Sequence, residues 1–356
     1  MKPNRALKVG IAGCGSVAQS PWGHIPAFIK NKNTELVAVC DKDENLASNV
    51  AKTFGINRYY TDVSEMLKNN ELDIVDICTP PKTHSVLSIM AMKSGCHVLV
   101  EKPMALSVKE ADDMIAASKE NGVKLCIVHN RLFHPTIMKT KSLVRKGIIG
   151  DVTGIDIRYG WESSRSDYMD KGHWYYGLHG GVFGEILPHP VYIARAFVGA
   201  LEPVAVYSRK LSGYEWIAAD ELRVILEGEK GTATITISCN WPGTEALFDI
   251  FGTNRNIHID IESEILTKRA VSTKGPPWNT IYNLRLGYQQ LYCTALFTLK
   301  TLLRRRLSDH HILIDKAVTA IINDTEPPVT GEDGKEVIRV YENIISQIDR
   351  GQTQTD

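Results

Sequence analysis

The sequence predicts two domains: an α/β domain built on a doubly wound parallel sheet, then an α+β domain with a mostly antiparallel, open-faced sheet. Three observations carry this. Short apolar runs alternate with helical patterns over the first 130 residues. A glycine-rich string joins the first run to the first helical pattern, and beyond Asn130 several strands alternate apolar and polar residues. The 356 residues suffice for two cores, expected over 1–130 and 131–350.

In the first domain the strand-like runs are Lys8–Ala12, Glu35–Cys40, Asp73–Cys78, His97–Val100 and Lys124–Val128. Helical patterns fall near Val17–Lys30, Glu44–Phe54, Val63–Asn69, Ser85–Ser94 and Val108–Asn121. Apolar strands without polar alternation, separated by helices, belong to a parallel sheet covered on both faces. After a helix at Thr136–Lys146, strands are expected at Val152–Tyr159, Pro203–Arg209, Glu221–Leu226, Thr232–Asn240, Ala246–Gly252 and Ile257–Ile261. The run Thr232-Ala233-Thr234-Ile235-Thr236-Ile237 alternates strictly, as a half-solvated strand should. The polar tail Gly351–Asp356 is expected to fray.

Composition narrows the function. Lysine plus arginine equals aspartate plus glutamate, 41 against 41, so no global field gathers nucleic acid. Seven cysteines, an odd number without CxxC pairs or cysteine–histidine metal spacing, predict a reducing, cytoplasmic setting and no metal. The first residues lack the apolar region of a signal peptide, and no run reaches the length of a membrane span.

The string Gly10-Ile11-Ala12-Gly13-Cys14-Gly15-Ser16-Val17-Ala18 reads GxGxxA. Gly13 permits a tight turn, Gly15 lets backbone approach a pyrophosphate, and Ala18 allows close helix–strand packing. The helix N-terminus at Ser16 and Val17 then faces the phosphates. Asp41 closes the second strand, where a carboxylate accepts from ribose hydroxyls and repels a 2′-phosphate, favouring NAD over NADP. A Rossmann domain is the expected result.

Two further strings are more specific: Asp76-Ile77-Cys78-Thr79-Pro80-Pro81-Lys82-Thr83-His84, and Gly95-Cys96-His97-Val98-Leu99-Val100-Glu101-Lys102-Pro103. They closely resemble the TPxxxH turn and EKP motif of the glucose–fructose oxidoreductase/inositol dehydrogenase (Gfo/Idh/MocA) family. The resemblance returns at Gly180–His189 and at Pro328–Asp333. It implies that Lys102 lies beside the nicotinamide and the substrate hydroxyl, with Pro103 after a cis bond. It also implies that Thr79, Pro80, His84, Glu101 and Asn130 belong to the cofactor side, and that Arg131 contacts substrate.

In His179-Gly180-Gly181-Val182-Phe183-Gly184-Glu185-Ile186-Leu187-Pro188-His189-Pro190 the family's spacing of acid and histidine is kept, with glutamate for aspartate. A histidine suits the base that takes a hydroxyl proton. His189 is the candidate base, Lys102 the polarising group and Glu185 the residue that orients or relays. The prolines predict that a helix starts here, and Tyr192 stands where the family often carries a second aspartate. Arg165, Asp167, His173, Trp174 and Tyr175 occupy the family's substrate-loop region; aromatic faces and hydrogen-bonding groups suit a sugar-like substrate.

The resemblance implies an NAD(H)-dependent oxidoreductase acting on a CH–OH carbon of a sugar, sugar derivative or cyclitol. Two alternatives stay open: an NAD-retaining glycoside hydrolase that works through transient oxidation and elimination, and a non-catalytic NAD-binding sensor. A homodimer or homotetramer is expected from the open sheet face. Residues 283–306 form an amphipathic helical pattern ending in Arg304-Arg305-Arg306, suited to packing against a sheet or second subunit, or to an anionic membrane.

Overall fold

A computed structural model describes residues 5–270, 275, 277–303 and 308–352, with the side chains of 270 and 349–352 outside that description. The chain divides into two compact units, Met1–Phe133 with Leu307–Arg339, and His134–Arg306 with Val340–Asp356.

In the first unit β1 (Leu7–Ala12) leads through α1 (Ser16–Gln19) and α2 (His24–Lys30) to β2 (Thr34–Cys40). There follow α3 (Glu44–Phe54), β3 (Arg58–Tyr60), α4 (Val63–Asn69), β4 (Ile74–Ile77) and α5 (His84–Lys93). Then come β5 (His97–Glu101), α6 (Val108–Glu120) and β6 (Leu125–Val128). The six strands order β3-β2-β1-β4-β5-β6, all parallel, so every carboxyl end lies on one edge of the sheet. Val9, Ile11, Ile74, Val98 and Ile127 are fully buried between the helical layers, as the unalternating runs require.

Two expectations change here. The helix expected over 17–30 is broken between Gln19 and His24, across a segment that holds Pro21. β3, three residues with two exposed, has no apolar run to announce it and exists by pairing with β2.

The second unit opens with α7 (Pro135–Arg145) and β7 (Val152–Gly160), followed by α8 (Ser166–Met169), α9 (Val182–Ile186) and α10 (Pro188–Val198). Six strands complete its sheet: β8 (Leu201–Arg209), β9 (Glu221–Gly228), β10 (Gly231–Ser238), β11 (Glu245–Gly252), β12 (Arg255–Asp260) and β13 (Ile265–Ala270). Their order is β13-β12-β11-β7-β10-β9-β8, antiparallel except where β7 meets β10. α10 covers one face at β7, β8 and β10. The other face carries exposed Tyr207 and Ile225. β13 lacked a sequence signal because its charged Lys268 and Arg269 interrupt the alternation.

α11 (Trp278–Leu302) starts earlier than the expected 283 and lies against β13; Arg304-Arg305-Arg306 falls outside the described residues. α12 (Asp309–Ile322) and α13 (Gly331–Gln352) end the chain. The expected single cut near 130 gives way to a return of residues 307–339 to the first unit. The reason is burial: Leu313, Ile314, Ala317 and Val318 of α12 are buried, and the helix packs on α2 and on the turn at Asn130–Phe133. Gly351 and Gln352 extend α13, and the rest of the expected frayed tail lies outside the described residues.

Candidate active site

The glycine-rich turn fits a dinucleotide on steric grounds. Gly13 has φ +97°, and a Cβ there would sit 2.5 Å from the Cys78 carbonyl carbon and 2.7 Å from the Thr79 nitrogen. Only glycine satisfies both constraints. At Gly15 an added Cβ meets nothing, so backbone there stays open to a large group. No side chain caps α1, whose first residues are Ser16 and Val17, and Ala18 is fully buried against the sheet. The Asp41 carboxylate accepts from the Cys14 N–H at 2.8 Å and from the Asp43 N–H at 3.1 Å, which fixes it beside the turn. These are the residues that would hold a pyrophosphate and an adenosine ribose.

On the same edge, β5 ends in Glu101 and delivers Lys102 and cis-Pro103. Thr79 and Pro80 follow β4, and the Thr83 hydroxyl donates to the Thr79 hydroxyl at 2.7 Å. His84 does not face outward. It is fully buried, with Nδ1 2.8 Å from the Pro103 carbonyl and Nε2 2.7 Å from the Thr79 carbonyl, so it ties the two turns together. Burial pushes its pKa down, against two carbonyls that favour protonation.

Glu101 also turns inward. One oxygen accepts from the Lys102 N–H at 3.0 Å, while the other meets His24 Nε2 at 2.9 Å and His310 Nε2 at 3.3 Å. His24 Nδ1 lies 2.7 Å from Asp76, and Asp309 lies 3.5 Å from His310 Nδ1. Burial opposes charge at His24, Glu101 and His310, yet the pairing wins. Asp76 holds the His24 pKa well above its usual range, and His24 with His310 holds Glu101 well below the carboxylate range. Asn130 donates to Asp309 at 3.1 Å, and Arg131 lies 3.8 Å from the same oxygen. Asn130 and Arg131 therefore tie the end of β6 to α12. Sequence reasoning missed His24, Asp76, Asp309 and His310, because nothing local marks residues that converge only in the folded sheet.

In the second unit, α9 ends at Ile186 and α10 begins at Pro188, so Glu185 and His189 sit on consecutive short helices. Proline at the first helical position starts α10, as expected. The glycines before it serve close packing: a Cβ on Gly180 would meet Ile345 at 2.3 Å, and Gly180 and Gly181 both have positive φ. His189 Nδ1 shares a 2.7 Å hydrogen bond with the Tyr192 hydroxyl, and its ring stacks at 6.4 Å on Tyr159. Tyr192, a departure from the family pattern, is thus one hydrogen-bond partner of the histidine.

Arg165 is engaged by Asp167 through two hydrogen bonds, 3.0 and 2.6 Å, and lies over the Trp161 ring. The His173 ring packs tilted against Tyr175, centroids 4.1 Å apart, beside half-exposed Trp174, and its Nδ1 is buried without a hydrogen-bond partner among the described residues. The substrate-loop candidates Arg165, His173 and Trp174 thus form one aromatic, polar stretch.

Residues 7–129 match an oxidoreductase family's NAD-binding Rossmann fold, and residues 137–258 match the C-terminal domain of the Gfo/Idh/MocA proteins. An oxidoreductase of Formosa agariphila is 30% identical over 200 residues, 55% of this chain and 61% of that protein. A D-apiose dehydrogenase of Paraburkholderia graminis is 28% identical over 244 residues, 68% of this chain and 62% of that protein. The chain thus spans about three fifths of the length of each of these two relatives. The WlbA dehydrogenase of Bordetella pertussis, solved with NADH and UDP-GlcNAcA, superposes with a TM-score of 0.78 at 21% identity, over 98% of this chain and 97% of that one.

Proposed function

This chain belongs to the Gfo/Idh/MocA oxidoreductase family, and from that premise we propose that it oxidises or reduces a CH–OH carbon of a sugar or sugar derivative with NAD(H). The observation that carries the reading is the pairing, on one sheet edge, of an open glycine cradle with Lys102 before cis-Pro103. A relative named as a D-apiose dehydrogenase, and a fold neighbour solved with UDP-GlcNAcA, support the substrate class.

Bound NAD supplies a hydride acceptor for the carbon being oxidised. Gly13, Gly15, Ser16, Val17 and Asp41 bind its phosphates and ribose; Thr79 and Pro80 bound the nicotinamide side. Lys102 polarises the substrate oxygen with its ammonium group. His189 takes the hydroxyl proton at Nε2, since Nδ1 is engaged by Tyr192. Glu185 orients the substrate, and the stretch holding Arg165, His173 and Trp174 supplies its hydrogen bonds and ring faces. Asn130 and Arg131 border the cofactor and substrate through their tie to Asp309. His84 and Glu101 act on the cofactor side by fixing the turns rather than by contact. The reading includes a cytoplasmic homodimer or homotetramer that covers Tyr207 and Ile225.

The test is nucleotide analysis of the purified protein, then absorbance at 340 nm with a panel of sugars, UDP-sugars and inositols. Substrate-dependent NADH formation, lost in Lys102→Ala and His189→Ala, is the expected result. Tightly held NAD without net NADH redirects the reading to glycoside cleavage, and absence of nucleotide binding overturns it.

A further inference from the structure

α11 is the part of the second unit that the reading above leaves without a role. It is 25 residues long, about 37 Å at the usual helical rise, and none of its residues is buried. One side is fastened to the sheet edge. The Gln289 side-chain amide accepts from the Lys268 N–H at 3.0 Å and donates to the Lys268 carbonyl at 3.2 Å, pairing with β13 as a further strand would. Cys293 and Lys300 add contacts to Leu266 and Glu264.

Away from that side runs an apolar stripe. Leu284, Leu291 and Leu302 are 70%, 68% and 76% exposed, and Tyr288 and Leu299 continue the row between them. An apolar surface of this length in water requires a cover. Beside its first turns lies a groove of about 360 Å³ whose cations are Arg255, Lys268, Arg269 and Arg285, with Tyr282 and Tyr288 among its walls. None of these four cations forms an ion pair among the described residues, and α11 contains no aspartate or glutamate.

We propose that α11 and this groove dock on the surface of an anionic lipid bilayer, the leucine stripe entering the acyl boundary and the groove taking lipid phosphates. A second copy of the chain fits less well, because a two-fold interface sets a patch against itself and this patch offers cations without acids. No helix of the described residues is long and apolar enough to cross a membrane, so the helix would lie in the interface plane.

Co-sedimentation of the full chain with vesicles of phosphatidylcholine, with and without phosphatidylglycerol, tests this. Binding is expected only to the anionic vesicles and should weaken as salt shortens the Debye length. Arg269→Ser and Arg285→Ser should each weaken it about fivefold, and Leu291→Asp about tenfold or more. Circular dichroism melts confirm that each variant is folded; the two arginine changes, on exposed side chains, keep the test open if Leu291→Asp is not. Equal binding to neutral vesicles, or none to either, overturns the proposal. So does a dimer that Leu291→Asp dissociates without any vesicle binding, which assigns the stripe to a second copy. Retention of inorganic phosphate without vesicle binding marks the groove as a site for free anions and likewise refutes docking.

Discussion

Replacing His24 by leucine should expose how much the buried charge chain contributes. His24 is fully buried between Asp76 at 2.7 Å and Glu101 at 2.9 Å, and both of its ring nitrogens face carboxylates. Leucine fills much of the volume but leaves two buried carboxylates without their shared cation. Breaking a buried pair from one side typically costs about 3–5 kcal/mol. For a domain of this size each kcal/mol moves the melting midpoint about 2–4 °C, so a fall of about 6–20 °C is expected. Urea unfolding at pH 7, followed by tryptophan fluorescence and repeated with and without NAD, measures it. The triple variant His24→Leu, Asp76→Asn, Glu101→Gln should recover much of the loss, since no uncompensated charge remains. A single-variant cost below about 1 kcal/mol would refute the reasoning, as would a triple variant less stable than the single one.

The same pair fixes a pH dependence. His24 is held above its ordinary value, so its contribution is complete below about pH 6.5 and is lost only as pH rises through the raised pKa. Glu101 is held below its ordinary value, so its contribution is present above about pH 4.3 and is lost as pH falls through the lowered pKa. These two contributions should therefore stay constant between those limits, and Glu101→Gln should remove its own share of the acid-side loss in a pH series of melts. Gly13→Ala places a Cβ 2.5 Å from rigid backbone at positive φ, and should abolish NAD retention or folding by gel filtration and nucleotide release. Asp41→Ser should weaken NAD by about 10–150-fold, the equivalent of one lost charge-assisted hydrogen bond, while improving NADP, as read by fluorescence titration. Tyr192→Phe removes the hydroxyl 2.7 Å from His189 Nδ1 and should shift the acid limb of the pH–rate profile while NAD affinity stays unchanged; an unaltered profile separates Tyr192 from the base.

By itself the sequence determined what local rules govern. The apolar runs became β1, β2, β4, β5 and β6, α3 and α4 kept their expected bounds, and the tight turn at Gly13 was legible from the glycine spacing, while Lys102 was singled out by the resemblance of its motif. These features depend on neighbours within a few residues, where propensity, turn sterics and strand–helix punctuation act. Tertiary structure decided the rest. It joined Glu101 to the imidazoles of His24 and His310, far away in the chain, and His84 to the Thr79 and Pro103 carbonyls, because the parallel strands bring these groups to one sheet edge. It gave His189 a tyrosine partner where the family pattern led one to look for an acid. It also returned α12 to the first unit, because an amphipathic helix is placed by the surface that can bury it, and no stretch of sequence states which surface that is.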